Sequence, residues 1–168
     1  MLRQPLTRLQ ALILSAVVVL LLVMATPGWL RLDGAAPSWP VLWLLPWAVV
    51  EGPWAGLLTG VLLALGLDAL QGNGLSSLIA LPLLGLWWGQ FRDARRPLER
   101  STTLGLQALL GSLFFNATIA LQLYWRGGVM ALAWQHTLAQ ALITALLAPM
   151  LCSILVLFWR RLSQRYGR

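Results

Sequence analysis

Residues 63–78, LALGLDALQGNGLSSL, contain the feature that decides how this chain folds. The first half has the character of the end of an apolar helix, and the second half that of the start of another. Between them, Gly72-Asn73-Gly74 is a strong turn signal. Asp68 lies near the end of the first helix, where a charge is costly if the helix is in a membrane. The stretch therefore predicts two apolar helices joined by a tight turn, with one carboxylate beside it.

The composition of the whole chain is that of an integral membrane protein. Of its 168 residues, 59% are hydrophobic and 10% are charged, whereas a soluble domain carries about 25% charged residues. The mean hydropathy is +0.76. The net charge is +7, from twelve arginines and five acidic residues, and the arginines lie between apolar runs. Such a distribution indicates membrane topology, so no nucleic-acid partner is expected.

Charged and turn-forming residues divide the chain into six apolar segments. A helix needs about 20 apolar residues to cross the hydrocarbon core. We expect one all-α domain over residues 1–168, a compact bundle of six transmembrane helices. Its predicted spans are residues 9–30, 38–50, 54–70, 75–91, 102–125 and 134–159. Two alternatives stay open: one crossing with re-entrant pieces in residues 38–91, and a cleaved signal peptide in place of the first span.

The placement of the arginines predicts the orientation. If the N-terminus is cytoplasmic, six crossings leave only Arg31 and Arg126 on the outer side, as the positive-inside rule requires. Both termini are then cytoplasmic. Four crossings would give the same split, and six are favoured because residues 38–91 hold too much apolar sequence for one further span. The ten cytoplasmic residues would be Arg3, Arg8, Arg92, Arg95, Arg96, Arg100, Arg160, Arg161, Arg165 and Arg168.

Small residues spaced by four form one narrow face of the third span. They are Gly52, Gly56, Gly60, Ala64 and, at the end, Asp68. The GxxxG of Gly56 and Gly60 permits close approach of helix backbones in lipid. Packing inside the bundle is the simpler interpretation, and an interface with another membrane protein is the alternative. Milder faces follow in the last two spans: Gly105, Ala108, Ser112, Asn116 and Ala120, then Thr137, Gln140, Thr144 and Ala148.

Three polar or helix-breaking residues of these spans carry separate predictions. Asp68 is expected either to hydrogen-bond the following turn or to be a buried anchor that pairs with Arg31, Arg126 or a partner chain. Asn116 is expected to hydrogen-bond across helices. Pro149 is expected to kink the last span.

The remaining polar and aromatic residues do not predict catalysis. With one cysteine and one histidine, no catalytic group or metal cluster is evident, so neither enzyme activity nor a cofactor is expected. Trp39, Trp43 and Trp47 would share one helix face. Most of the ten tryptophans lie near predicted span ends, as in an aromatic belt at the membrane surface; they are Trp29, Trp39, Trp54, Trp87, Trp88, Trp125, Trp134 and Trp159.

This arrangement resembles MreD, the family of rod shape-determining membrane proteins. The likeness lies in the Gly-rich third span ending in Asp68-Ala69-Leu70, in the turn from Gly72 through Gly74 to Leu75, in Pro149, and in the basic end at Arg160-Arg161. Length and topology agree over nearly the whole chain. The resemblance implies a non-enzymatic subunit of the cell-elongation machinery in the bacterial cytoplasmic membrane. Its partners would be MreC and, more distantly, MreB filaments, RodA and a penicillin-binding protein.

The resemblance also carries an alternative function. MreD proteins are similar in fold to the substrate-binding S components of energy-coupling-factor vitamin transporters, and fold likeness does not transfer function. A transporter subunit would need a cavity lined by Asp68, Asn116, Gln140 and outer tryptophans. For a scaffold, the resemblance implies that Asp68 shapes the turn into the fourth span and helps to present the surface that MreC meets.

Overall fold

The computed structural model describes residues 4–25, 36–72, 74–91, 101–127 and 130–166. These residues form helices and no strands, which confirms the all-α prediction. Three helical segments are long and apolar enough to cross a membrane, namely Pro53–Gln71, Thr103–Trp125 and Thr137–Trp159, and they indicate a membrane protein. The helices are α1 (Gln4–Met24), α2 (Trp39–Glu51), α3 (Pro53–Gln71), α4 (Ala80–Gly89), α5 (Ser101–Trp125) and α6 (Met130–Tyr166).

The short helix α2 is the centre of the bundle. Every residue from Pro40 to Val49 is buried, and α2 contacts each of the other five helices. A helix that is apolar all round is typically enclosed by protein or lipid. Its 13 residues span only about 20 Å, and the surrounding helices bury all but the residues at its two ends.

Contacts along the helices give their directions. The Ser38 N–H donates to Thr144 Oγ1 at 2.9 Å, and the Cys152 thiol donates to the carbonyl of Leu42 at 3.5 Å. Further along, the rings of Trp47 and Trp159 meet edge to face at 4.5 Å. Residue numbers therefore rise together along α2 and α6, so these two helices are parallel.

Helix α4 is shorter than the sequence predicted. The predicted span of residues 75–91 contains a helix only from Ala80 to Gly89, because side chains of other helices bind the backbone of Ser76 and Ser77. Helices α2, α3 and α5 agree with their predicted spans to within one residue at each end. Helix α1 begins earlier than predicted, at Gln4, and ends at Met24, while α6 extends beyond its predicted span in both directions. In the first predicted span, residues 26–30 lie outside the described residues.

The tryptophans divide into core and surface groups. Trp43 and Trp47 stack with ring centroids 6.2 Å apart, so their predicted common face is confirmed. Trp54 and Trp125 are 74% and 78% exposed, as expected of a belt. Two more predicted belt residues, Trp88 and Trp159, are 0% and 2% exposed. That part of the belt prediction is wrong, because bundle packing encloses both rings; Trp88 lies near the end of α4, whereas α6 continues past Trp159 to Tyr166.

Candidate functional site

The first candidate surface is a glycine seam, formed by Gly56 and Gly60 of α3 against Gly85 and Leu81 of α4. A methyl group added at Gly60 would lie 2.7 Å from the carbonyl oxygen of Leu81, and one added at Gly56 would overlap the Gly85 backbone. The helices are antiparallel here, since rising numbers in α3 meet falling numbers in α4. The predicted small-residue face therefore packs inside the bundle at these two positions.

Further along the same face of α3, Ala64 is fully buried and Thr59 is 8% exposed. The Thr59 hydroxyl donates to the carbonyl of Ala55 at 2.7 Å and to that of Gly56 at 3.1 Å. A hydroxyl that donates to a carbonyl of its own helix needs no polar partner elsewhere in the apolar interior. The seam is accordingly a packing surface rather than a chemical site.

The second candidate site is the carboxylate of Asp68. Its Oδ1 accepts the N–H of Ser77 at 2.8 Å, and its Oδ2 accepts the hydroxyl of Ser76 at 3.0 Å. Of the two expectations for this residue, hydrogen bonding to the following turn is therefore the arrangement seen. Arg31, one of the proposed ion-pair partners, lies outside the described residues.

The end of α5 holds the same turn from the other side. The side-chain amide of Gln122 accepts the Ser76 N–H at 2.7 Å through Oε1 and donates to the Ser76 carbonyl at 2.8 Å through Nε2. Arg126, just after α5, donates from Nη2 to the carbonyl of Gly74. Gln122 and Arg126 are four residues apart and so occupy one face of the helix end. They bind alternate residues of the extended chain.

Two glycines give the turn its shape. Gly72 caps α3 with φ +57° and Gly74 has φ +70°, and the Gly72 N–H bonds the Asp68 carbonyl at 3.2 Å. Such left-handed conformations favour glycine, which is why Gly72 and Gly74 suit these two positions. The predicted turn is present, although Asn73 at its centre lies outside the described residues.

Asn116 and Pro149 lie away from this turn. The Asn116 amide donates to the Ser112 carbonyl of its own helix at 2.9 Å. The predicted bond across helices is therefore wrong for this donor, because the previous turn of α5 already offers an acceptor. Pro149 lies inside α6, where its ring packs against Gly105 of α5: a methyl group at Gly105 would lie 3.2 Å from Pro149 Cγ.

The eight predicted site residues thus fall into three places. Gly56, Gly60 and Ala64 lie on the α3 packing face, Asp68, Gly72 and Gly74 form the turn, and Asn116 and Pro149 lie in α5 and α6. Sequence analysis missed Gln122, Ser76 and Ser77 at the turn. The available signal was weak: Gln122 is a polar residue one turn before the end of a predicted span.

Within the described part of the chain, no group of three or more His, Cys, Asp or Glu residues is arranged to hold a metal ion. No protein-family model, curated protein or solved structure matches the chain.

Proposed function

We propose that this protein is a non-enzymatic membrane subunit of the bacterial cell-elongation machinery, of the MreD type. It would maintain rod shape by scaffolding MreC and peptidoglycan synthases. The observation that carries the proposal is that the resemblance residues of the third span and of its turn belong to one continuous unit: the seam of Gly56 and Gly60 leads along α3 to Asp68, which binds Ser76 and Ser77 just after the turn. A scaffold depends on a rigid framework of this kind to hold its partner-binding surface, and it needs no reactive group.

The same proposal places the chain in the cytoplasmic membrane with six crossings in an S-component-like bundle. The parallel course of α2 and α6 supports it, because alternating crossings give the second and sixth helices the same direction. The antiparallel α3 and α4 agree as well. Although α4 is only about 15 Å long, the polar turn before it has its backbone bound by side chains, as non-helical backbone near a membrane requires.

The first test is the orientation. Reporter fusions after Arg168 and between Arg126 and Ala133 are expected to give a cytoplasmic signal for the C-terminus and an outer signal for the α5–α6 connection. The physical reason is the retention of arginine-rich segments on the cytoplasmic side. An outer signal at the C-terminus would overturn the six-span topology and leave the packing within the bundle unaffected.

The second test concerns the function itself. The tagged protein, purified from its native membrane in mild detergent, is expected to retain MreC, and loss of the gene is expected to turn rods into round cells. An unrelated multi-pass protein with the same tag is the control. Co-purification of an ATPase module with unchanged cell shape would instead support the vitamin-type transporter. Gene neighbours give an independent check: MreB and MreC genes for scaffolding, ATPase genes for uptake.

A further inference from the structure

Four of the helices form two hairpins that pack mainly within themselves. The α3–α4 and α5–α6 pairs have the most extensive contacts in the bundle, and α2 contacts all four helices. Direct packing between the hairpins is far smaller and includes α4 against α5, where the ring of Trp88 lies against Gly111. Trp88 is near the last residue of α4, so this contact connects the two hairpins only at the C-terminal end of α4. At the N-terminal end of α4 other residues connect them.

At that other end, the hairpins are joined by the segment from Gly74 to Ile79, here named the strap. Asp68 of α3 binds Ser76 and Ser77 of the strap. Gln122 of α5 binds the N–H and the carbonyl of Ser76, and Arg126 binds Gly74. Because α3 and α5 belong to different hairpins, the strap bridges the two through side-chain hydrogen bonds.

The strap is held by polar contacts more than by burial. Among its side chains, Ser77 is 1% exposed, whereas Leu78 and Ile79 are 40% and 60% exposed. A hydrogen bond between neutral groups contributes little net stability, so it can open without loss of the packed core. By contrast, the seam between α3 and α4 is a close backbone contact.

We propose that the strap is a latch between the two hairpins, with Gln122 as its release point. When Gln122 leaves Ser76, Arg126 leaves Gly74 as well, and the α5–α6 hairpin moves away from the α3–α4 hairpin at this end, while Trp88 and α2 keep them joined elsewhere. The opening exposes Asp68 and the strap backbone in the gap. This inference does not depend on the proposed function, since it concerns motion within the bundle.

The test measures the distance between the hairpins directly. Spin labels would replace Leu70 of α3 and Tyr124 of α5, which are 44% and 56% exposed, after Cys152→Ser removes the only native cysteine. In lipid nanodiscs, the protein with Gln122 is expected to show one main distance. Gln122→Leu is expected to add a second, longer one.

The matched control is Gln107→Leu in the same helix. The side-chain amide oxygen Oε1 of Gln107 has no hydrogen-bond partner among the described residues, so this substitution is expected to keep the single distance. A separate measurement, hydrogen exchange at the Ser76 amide, is expected to become roughly tenfold faster in Gln122→Leu and to stay unchanged in Gln107→Leu. Both readouts together distinguish latch opening from a general loosening of α5.

Unchanged distance and exchange in Gln122→Leu would overturn the latch. If that variant does not fold, Gln122→Met replaces it, because methionine has a similar length but lacks the amide that pairs with the Ser76 N–H and carbonyl. A longer second distance in Gln122→Met supports the latch, and a single short distance contradicts it. A longer distance in Gln107→Leu as well would also contradict the latch, because the motion would then not depend on Gln122.

Discussion

Gly56→Ala is expected to lower the free energy of unfolding by about 3 kcal/mol, since overpacking a closely packed interior costs roughly 1–3 kcal/mol and sometimes more. The added methyl group would overlap the backbone of Gly85, and a backbone cannot move aside as the end of a flexible side chain can. The two helices must therefore separate along the seam. Thermal unfolding in detergent, followed by size-exclusion chromatography of the remaining folded fraction, measures the effect.

Gly66→Ala is the matched control, because it makes the same substitution in the same helix. Its methyl group would meet only the end of the Leu20 side chain, at 3.1 Å, and alanine is the better helix former by about 1 kcal/mol. We expect little change or a small gain in stability. If Gly56→Ala were as stable as Gly66→Ala, the seam would not be a close packing contact. Gly85→Ala adds a methyl group to the same contact from the α4 side, and it is expected to lower the free energy of unfolding as much as Gly56→Ala does.

Asp68→Leu is expected to have the second large effect. It should lower the free energy of unfolding by about 3 kcal/mol, because an unsatisfied buried polar group costs about 1–3 kcal/mol. Two donors lose their acceptor in this variant: the N–H of Ser77, a residue that is 1% exposed, and the hydroxyl of Ser76. Asp68→Asn keeps a carbonyl oxygen that accepts the Ser77 N–H, so it should lower the free energy of unfolding by only about 1 kcal/mol. The measurement is the unfolding temperature of both variants in detergent.

The same pair of variants separates the scaffold from the transporter. Under the scaffold hypothesis, Asp68→Asn keeps both cell shape and MreC co-purification, because the carboxylate acts through the geometry of the turn. Under the solute-binding hypothesis, Asp68→Asn alone abolishes activity. Loss of function in a folded Asp68→Asn protein that still binds MreC would count against the scaffold. Equal stability of Asp68→Leu and Asp68→Asn would contradict the hydrogen bonding described for the turn.

Local patterns of the sequence predicted much of this molecule. Helix class, apolar character and the turn at Gly72 and Gly74 follow from composition and from residues that are close along the chain. The close approach of Gly56 and Gly60 to a neighbouring helix was also predictable, because a GxxxG on an apolar helix presents backbone rather than side chains. Such features depend on residue type and periodicity, and these are fully contained in a short stretch of sequence.

Only the tertiary structure decided which residues complete the turn and which tryptophans are buried. Gln122 binds Ser76 across 46 positions of the chain, and Ser38 binds Thr144 across 106; no local pattern encodes such pairs. The burial of Trp88 and Trp159 could not be predicted from the sequence either, because an apolar side chain is stable both in lipid and in a protein interior. By itself the sequence therefore determined the helices and their sharpest turn, whereas the non-helical start of the predicted fourth span was decided by partners that only folding brings near.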